Sequence, residues 1–114
     1  MRISELAKRC NVSKDTIRLY TKLQLISCEQ KAAGSRFYAE YTESTVELVK
    51  GIRIAQSIGF TLAELKPLAD EYTSKGIAPE RERALLQTKL KEIAEKQKYL
   101  ALLVKTIQSK LDKL

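Results

Sequence analysis

Apolar residues return every three or four positions along most of the chain, and the breaks in that rhythm divide it into helices. Over residues 3–10, Ile3, Leu6, Ala7 and Cys10 fall at i, i+3, i+4 and i+7 and make one apolar helical face. Ser4 is a candidate N-cap with Glu5 just inside it, at the positive end of the helix dipole. Asn11, a residue that tolerates the left-handed conformation, closes this helix. Ser13 caps a second helix that carries Asp15 in its first turn. Its inward face is Val12, Thr16, Ile17 and Tyr20, while Lys14, Arg18 and Lys22 project elsewhere. Two short helices this close together predict a helix-turn-helix over residues 3–22.

The rhythm then lapses. Leu23, Leu25 and Ile26 are followed by a polar stretch, "CEQKAAGS", and then by "RFYAEY". Turn residues Gly34 and Ser35 predict a two-stranded hairpin over residues 25–38, with its tip near 29–35. It reads equally as a wing or as an ordinary connecting loop. Helical spacing resumes with "STVE", a capping box that puts Ser44 at the N-cap and Glu47 at N3. Val46, Leu48, Val49, Ile52, Ile54, Ala55 and Ile58 are too many for a narrow stripe, so the helix over 44–58 is expected at the centre of the core. Gly59 ends it. Thr61 and Glu64 form a second capping box for a helix over 61–73, with Leu62, Leu65, Leu68 and Ala69 inward and Pro67 bending it or restricting its first turns. Gly76 and Pro79 mark the boundary between a domain over 1–75 and a helix over 80–114.

That last segment contains no Gly or Pro. Leu86, Leu90, Ile93, Gln97, Leu100, Val104, Ile107, Leu111 and Leu114 alternate in steps of four and three, a heptad seam with Gln97 as its polar member. One helix over this range is about 50 Å long. Its seam needs a partner, and self-association is expected, against folding back as a bundle helix. In an antiparallel pair Gln97 lies near the two-fold axis, where a buried polar group sets register.

Charge narrows the partner. The 114 residues carry a net charge of +7, with 44% hydrophobic and 31% charged residues. This describes a globular chain that favours a polyanion. No apolar run reaches the ~18 residues of a membrane helix, and "MRISELAKRC" is not a signal peptide, so a cytoplasmic location without membrane is expected. With no histidine and two cysteines, Cys10 and Cys28, a four-ligand zinc site and a Ser-His-Asp triad are both excluded. An enzyme is not expected, because no nucleophile–base pair, metal cluster or phosphate loop is visible.

"MRISELAKRCNVSKDTIRLYTKLQLI" resembles the N-terminal DNA-binding region of MerR-family transcription regulators, whose pattern runs close to I-x-E-L-A and then G-V-S-x-x-T-I-R-Y-Y-E-K-x-G-L. "GSRFY" looks like the family's G-x-R-x-Y wing. "IRIAQSIGFTLAELKPL" looks like its I-x-x-A-x-x-L-G-F-S-L-x-E-I-x-x-L segment. The likeness covers most of residues 1–70, with architecture alone thereafter. The chain departs from the pattern in four respects. Leu19 stands at the first Tyr of the pair, Thr21 stands at Glu, Asn11 and Gln24 replace Gly, and "AEYTEST" is about three residues longer than the usual linker.

The resemblance implies a mostly α protein: a winged helix-turn-helix DNA-binding domain followed by a long dimerisation helix that pairs as an antiparallel coiled coil. It makes 14–22 the recognition helix. Lys14, Asp15 and Thr16 lie at its base-reading N-terminal end. Arg18 is suited to two parallel hydrogen bonds with guanine or phosphate. Leu19 and Lys22 are counted with the DNA-facing positions. Tyr20 shares the core face, with a hydroxyl in reach of phosphate. Arg36 is the principal wing contact, followed by Lys31 and Tyr38. Arg2 is expected at the backbone and Arg53 at a second wing.

The implied function is a homodimer that binds a pseudopalindromic promoter in double-stranded DNA and distorts it for RNA polymerase. No cofactor and no metal are expected. Residues 76–114 lack the cysteines by which metal-sensing relatives bind their effector, and a short member without a C-terminal effector domain is implied. Cys10 is expected to be a structural thiol. Cys28 is expected to be structural or neutral, against a redox role with Lys31 and Arg36 supplying positive charge. Two rival readings are an excisionase-like or architectural DNA-bending protein and a coiled-coil protein-interaction module.

Overall fold

A computed structural model describes all residues, 1–114. It divides into two compact units, Met1–Gly76 and Ile77–Leu114. The element order is α1 (Ile3–Cys10), α2 (Lys14–Lys22), β1 (Glu29–Ala33), β2 (Arg36–Glu40), α3 (Glu43–Ser57), α4 (Leu62–Lys75) and α5 (Pro79–Asp112).

The core of the first unit is built from the stripes the spacing defines. Leu6 and Ala7 of α1, Ile17 and Tyr20 of α2, Val46, Val49 and Ile52 of α3, and Leu65 and Ala69 of α4 are all buried together. Asn11 ends α1 in the left-handed conformation, with φ 55° and ψ 46°. Ser13 caps α2, its hydroxyl accepting from the Thr16 amide at 3.1 Å. Thr61 and Glu64 form the reciprocal capping box of α4, which runs through Pro67 to Lys75.

Three local expectations are corrected. Ser4 does not cap α1, because the helix already begins at Ile3. The Met1 ammonium donates to the Tyr41 carbonyl at 2.6 Å, and the Tyr41 amide donates back to the Met1 carbonyl at 2.7 Å. That reciprocal pair leaves Arg2, extended, as the residue before the first turn. Ser44 does not cap α3 either. Thr42 is the extended flanking residue and Glu43 is already helical, held by two hydrogen bonds of 2.7 Å from the Arg9 guanidinium. On α3 the broad apolar pattern also overstated burial, since Ile54 and Ile58 are exposed.

The hairpin differs in extent. Leu25 and Ile26 are not wing residues but core, buried beneath the end of α2. The strands pair in register from Glu29↔Glu40 to Ala33↔Arg36, so the tip shrinks to Gly34 and Ser35. Gly34 takes φ 66° at the first loop position, where the tight II′ hairpin turn places glycine. Composition missed this because "EQKAA" has no strand-like alternation and is exposed throughout. Its structure comes from pairing alone.

The second unit is essentially α5, 34 residues with Pro79 in its first turn, where the missing amide costs nothing. At 1.5 Å per residue it is about 51 Å long. Leu86, Leu90, Ile93, Leu100, Val104, Ile107 and Leu111 are all exposed along it, and so are Tyr99 and Leu102 off the seam. No helix of the chain is long and apolar enough to cross a membrane.

Candidate nucleic-acid interface

The α2 helix is fastened by its inner face. Ile17 is fully buried and Tyr20 is 1% exposed. The Tyr20 hydroxyl donates to Oε1 of Gln56 on α3. Tyr20 is therefore a core residue whose hydroxyl is directed to Gln56. Thr16 is half-buried, and its hydroxyl lies 3.0 Å from that of Ser13, within the cap. Lys14, Asp15, Arg18, Leu19 and Lys22 remain exposed on the outer face. The Arg18 guanidinium donates to Asp15 at 2.8 Å. Both side chains are solvated, so this pair is worth at most ~1 kcal/mol and leaves Arg18 available.

The hairpin register gathers the wing residues. Cross-strand partners share a face, so Lys31 and Tyr38, paired directly, lie on the same side as Ala33 and Arg36. Arg2 joins them from the start of α1, its guanidinium carbon 4.0 Å from the Tyr38 ring centroid. This is cation–π geometry. Lys31 is compensated by Glu29 at 3.0 Å and Glu40 at 3.9 Å. The Glu29 hydrogen bond raises its pKa, so it stays charged while contributing little net positive field. Arg36, at the tip, makes no ion pair. Arg53 is exposed on α3.

Two residues that the sequence offered only as departures from a pattern prove to touch. The Thr21 hydroxyl donates to the Ile17 carbonyl at 2.8 Å and lies 2.8 Å from the Tyr41 hydroxyl. Tyr41 is buried directly after β2, in the long linker. Burial raises its pKa, so the phenol stays neutral. The end of α2 and the base of the hairpin are thereby joined through side chains. Their shared signal in the sequence was that Thr21 and the linker depart from the family pattern together.

The cysteines are free and half-buried. Burial pushes the Cys10 thiol up, and its Sγ lies 3.7 Å from the Val46 carbonyl. Cys28 sits at the hairpin base. Lys31 is committed to two carboxylates and Arg36 is at the far end of the hairpin, so neither is placed to supply the positive charge considered for Cys28. No three Cys, Asp or Glu side chains gather as a metal-binding set.

The family described as MerR HTH family regulatory protein matches residues 1–72, and that described as MerR, DNA binding matches 46–110. The chain is 39% identical over 89 residues to the HTH-type transcriptional regulator ZntR of Escherichia coli, covering 70% of this chain and 62% of that one. It is 31% identical over 108 residues to the HTH-type transcriptional regulator HmrR of Rhizobium leguminosarum bv. viciae, covering 95% of this chain and 81% of that one. The chain thus spans about three-fifths of the length of ZntR. Its fold is similar to that of PbrR691 from Ralstonia metallidurans in complex with lead(II), with TM-score 0.77 at 23% identity over 96% of this chain and 83% of that one. It is also similar to HiNmlR, a regulator lacking the sensor domain bound to promoter DNA, with TM-score 0.58 at 20% identity over 88% of this chain and 77% of that one.

Proposed function

The chain belongs to the MerR family of helix-turn-helix regulators, and from that footing we propose that it is a transcriptional regulator that binds promoter DNA as a homodimer. The family is one of transcription regulators, not enzymes. The observation that carries the reading is the outer face of α2. A helix locked by Ile17, Tyr20 and the Ser13 cap presents Lys14, Arg18 and Lys22 outward, while the hairpin collects Arg2, Lys31, Arg36 and Tyr38 on one face. A rigid helix of this kind suits a major groove, and a short basic hairpin suits the adjoining backbone or minor groove.

Dimerisation through α5 supplies two such units to two half-sites. The antiparallel pairing of the Leu86-to-Leu111 seam covers apolar surface that is exposed in the single chain. Distortion of a pseudopalindromic site between the half-sites, for use by RNA polymerase in the cytoplasm, completes the proposal.

Selection from a random duplex pool with the full chain, followed by footprinting, tests it. The expected result is a symmetric site protected over two half-sites, with affinity falling steeply as salt rises. Enrichment of attachment-type rather than promoter sites favours the architectural rival. No enrichment at all, with a monomer in light scattering, removes the reading.

A further inference from the structure

Every exposed side chain within α2 is charged except one. Leu19 is 43% exposed, among Lys14, Asp15, Arg18 and Lys22. At about 100° per residue it sits about 160° round the helix from buried Ile17, and within about 60° of both Asp15 and Lys22. It therefore lies on the outward flank of the helix, also about 60° from half-buried Thr16. A single exposed leucine is unremarkable in a free protein. On a face that enters a groove it must be matched to something. The phosphates and nearly all base-edge atoms are hydrogen-bonding groups, and the 5-methyl of thymine is the apolar group on the major-groove edge. A tyrosine, which the family pattern places here, can give its hydroxyl to a phosphate oxygen. A leucine cannot.

We propose that Leu19 is a specificity-determining residue that reads the 5-methyl group of a thymine by apolar contact in the major groove. It rests on the reading of α2 as the recognition helix. The residue lies one turn beyond Asp15 on the same face, so the thymine it meets adjoins the base edge in reach of Asp15 and Arg18. The contact adds selectivity without adding charge, so it leaves the salt dependence of binding unchanged.

The experiment uses the site recovered by selection and a copy with deoxyuridine at every thymine, which removes the methyl groups and keeps the hydrogen-bonding edge. The wild-type chain is expected to bind the deoxyuridine site about fourfold more weakly per half-site, the value of one buried methyl-sized group. Leu19→Ala and Leu19→Asn are expected to bind both sites alike, with unchanged melting and unchanged salt slope. The comparison between proteins cancels any effect of the methyl groups on the DNA itself. A wild-type ratio of one, or a ratio shared by wild type and Leu19→Ala, overturns this proposal alone. A pool that never enriches overturns the recognition-helix reading, and the proposal with it.

Discussion

Arg36 and Lys31 carry the same charge on the same face of one hairpin, and their surroundings separate them. Lys31 is bracketed by Glu29 and Glu40, whereas Arg36 pairs with no carboxylate. Arg36→Ala should weaken binding to the selected site and lower the salt slope by about one for each phosphate it no longer neutralises, and Lys31→Ala should do so less. Titrating both variants over a salt series checks the order. Arg9 and Glu43 make the other charged pair of note, two hydrogen bonds joining α1 to the start of α3. The Arg9 guanidinium holds the Glu43 carboxyl below its ordinary pKa. A depressed carboxyl contributes stability above its unfolded pKa and loses it as pH falls through the folded one. The melting difference between wild type and Glu43→Gln should therefore be largest at neutral pH and vanish in acid. Both groups are solvated, so it should be small throughout.

Elements begin where their flanking contacts allow. Two capping boxes were legible in the chain and only one forms. Thr61 and Glu64 exchange both bonds, while Ser44 lies inside α3 and its hydroxyl meets that of Thr42 at 2.8 Å. Thr61→Ala and Ser13→Ala should each cost about 1 kcal/mol in urea unfolding, and Ser44→Ala close to nothing. The spacing of the two motifs is the same. What differs is that α3 starts against Arg9, a residue 34 positions away in the chain. The junction of α2 with the hairpin was illegible for the same reason. Tyr41→Phe removes the hydroxyl beside Thr21 without emptying the core, and should cost about 1 kcal/mol of stability while reducing DNA affinity through a looser wing. Urea melts and binding curves on the same variant separate the two effects.

At the scale of the molecule, the proposed homodimer makes tight DNA binding depend on α5 as much as on α2. Leu100→Glu, in the exposed seam, should leave the fold of the first unit intact and convert the proposed dimer to a monomer in light scattering. DNA affinity should fall by orders of magnitude, because each unit then binds one half-site without the gain of linkage. Gln97→Leu should instead raise dimer stability and relax register, visible as mixed orientations in cysteine cross-linking of variants placed along α5.

Periodicity was enough for the existence of α1, α2, α4 and α5, because a helix is set by bonds four residues apart, and for α2 and α4 by caps within the same few residues. The outward basic face of α2 followed at once, since burying Ile17 and Tyr20 leaves Lys14, Arg18 and Lys22 nowhere else to go. Folding decided what depends on contacts between distant positions. The core role of Leu25 and Ile26, the starts of α1 and α3, the Tyr20–Gln56 bond and the meeting of Thr21 with Tyr41 all depend on residues that no local pattern links. A chain states its own turns and stripes; which stripe closes on which, and which hydroxyl finds a partner, exists only once the core has formed.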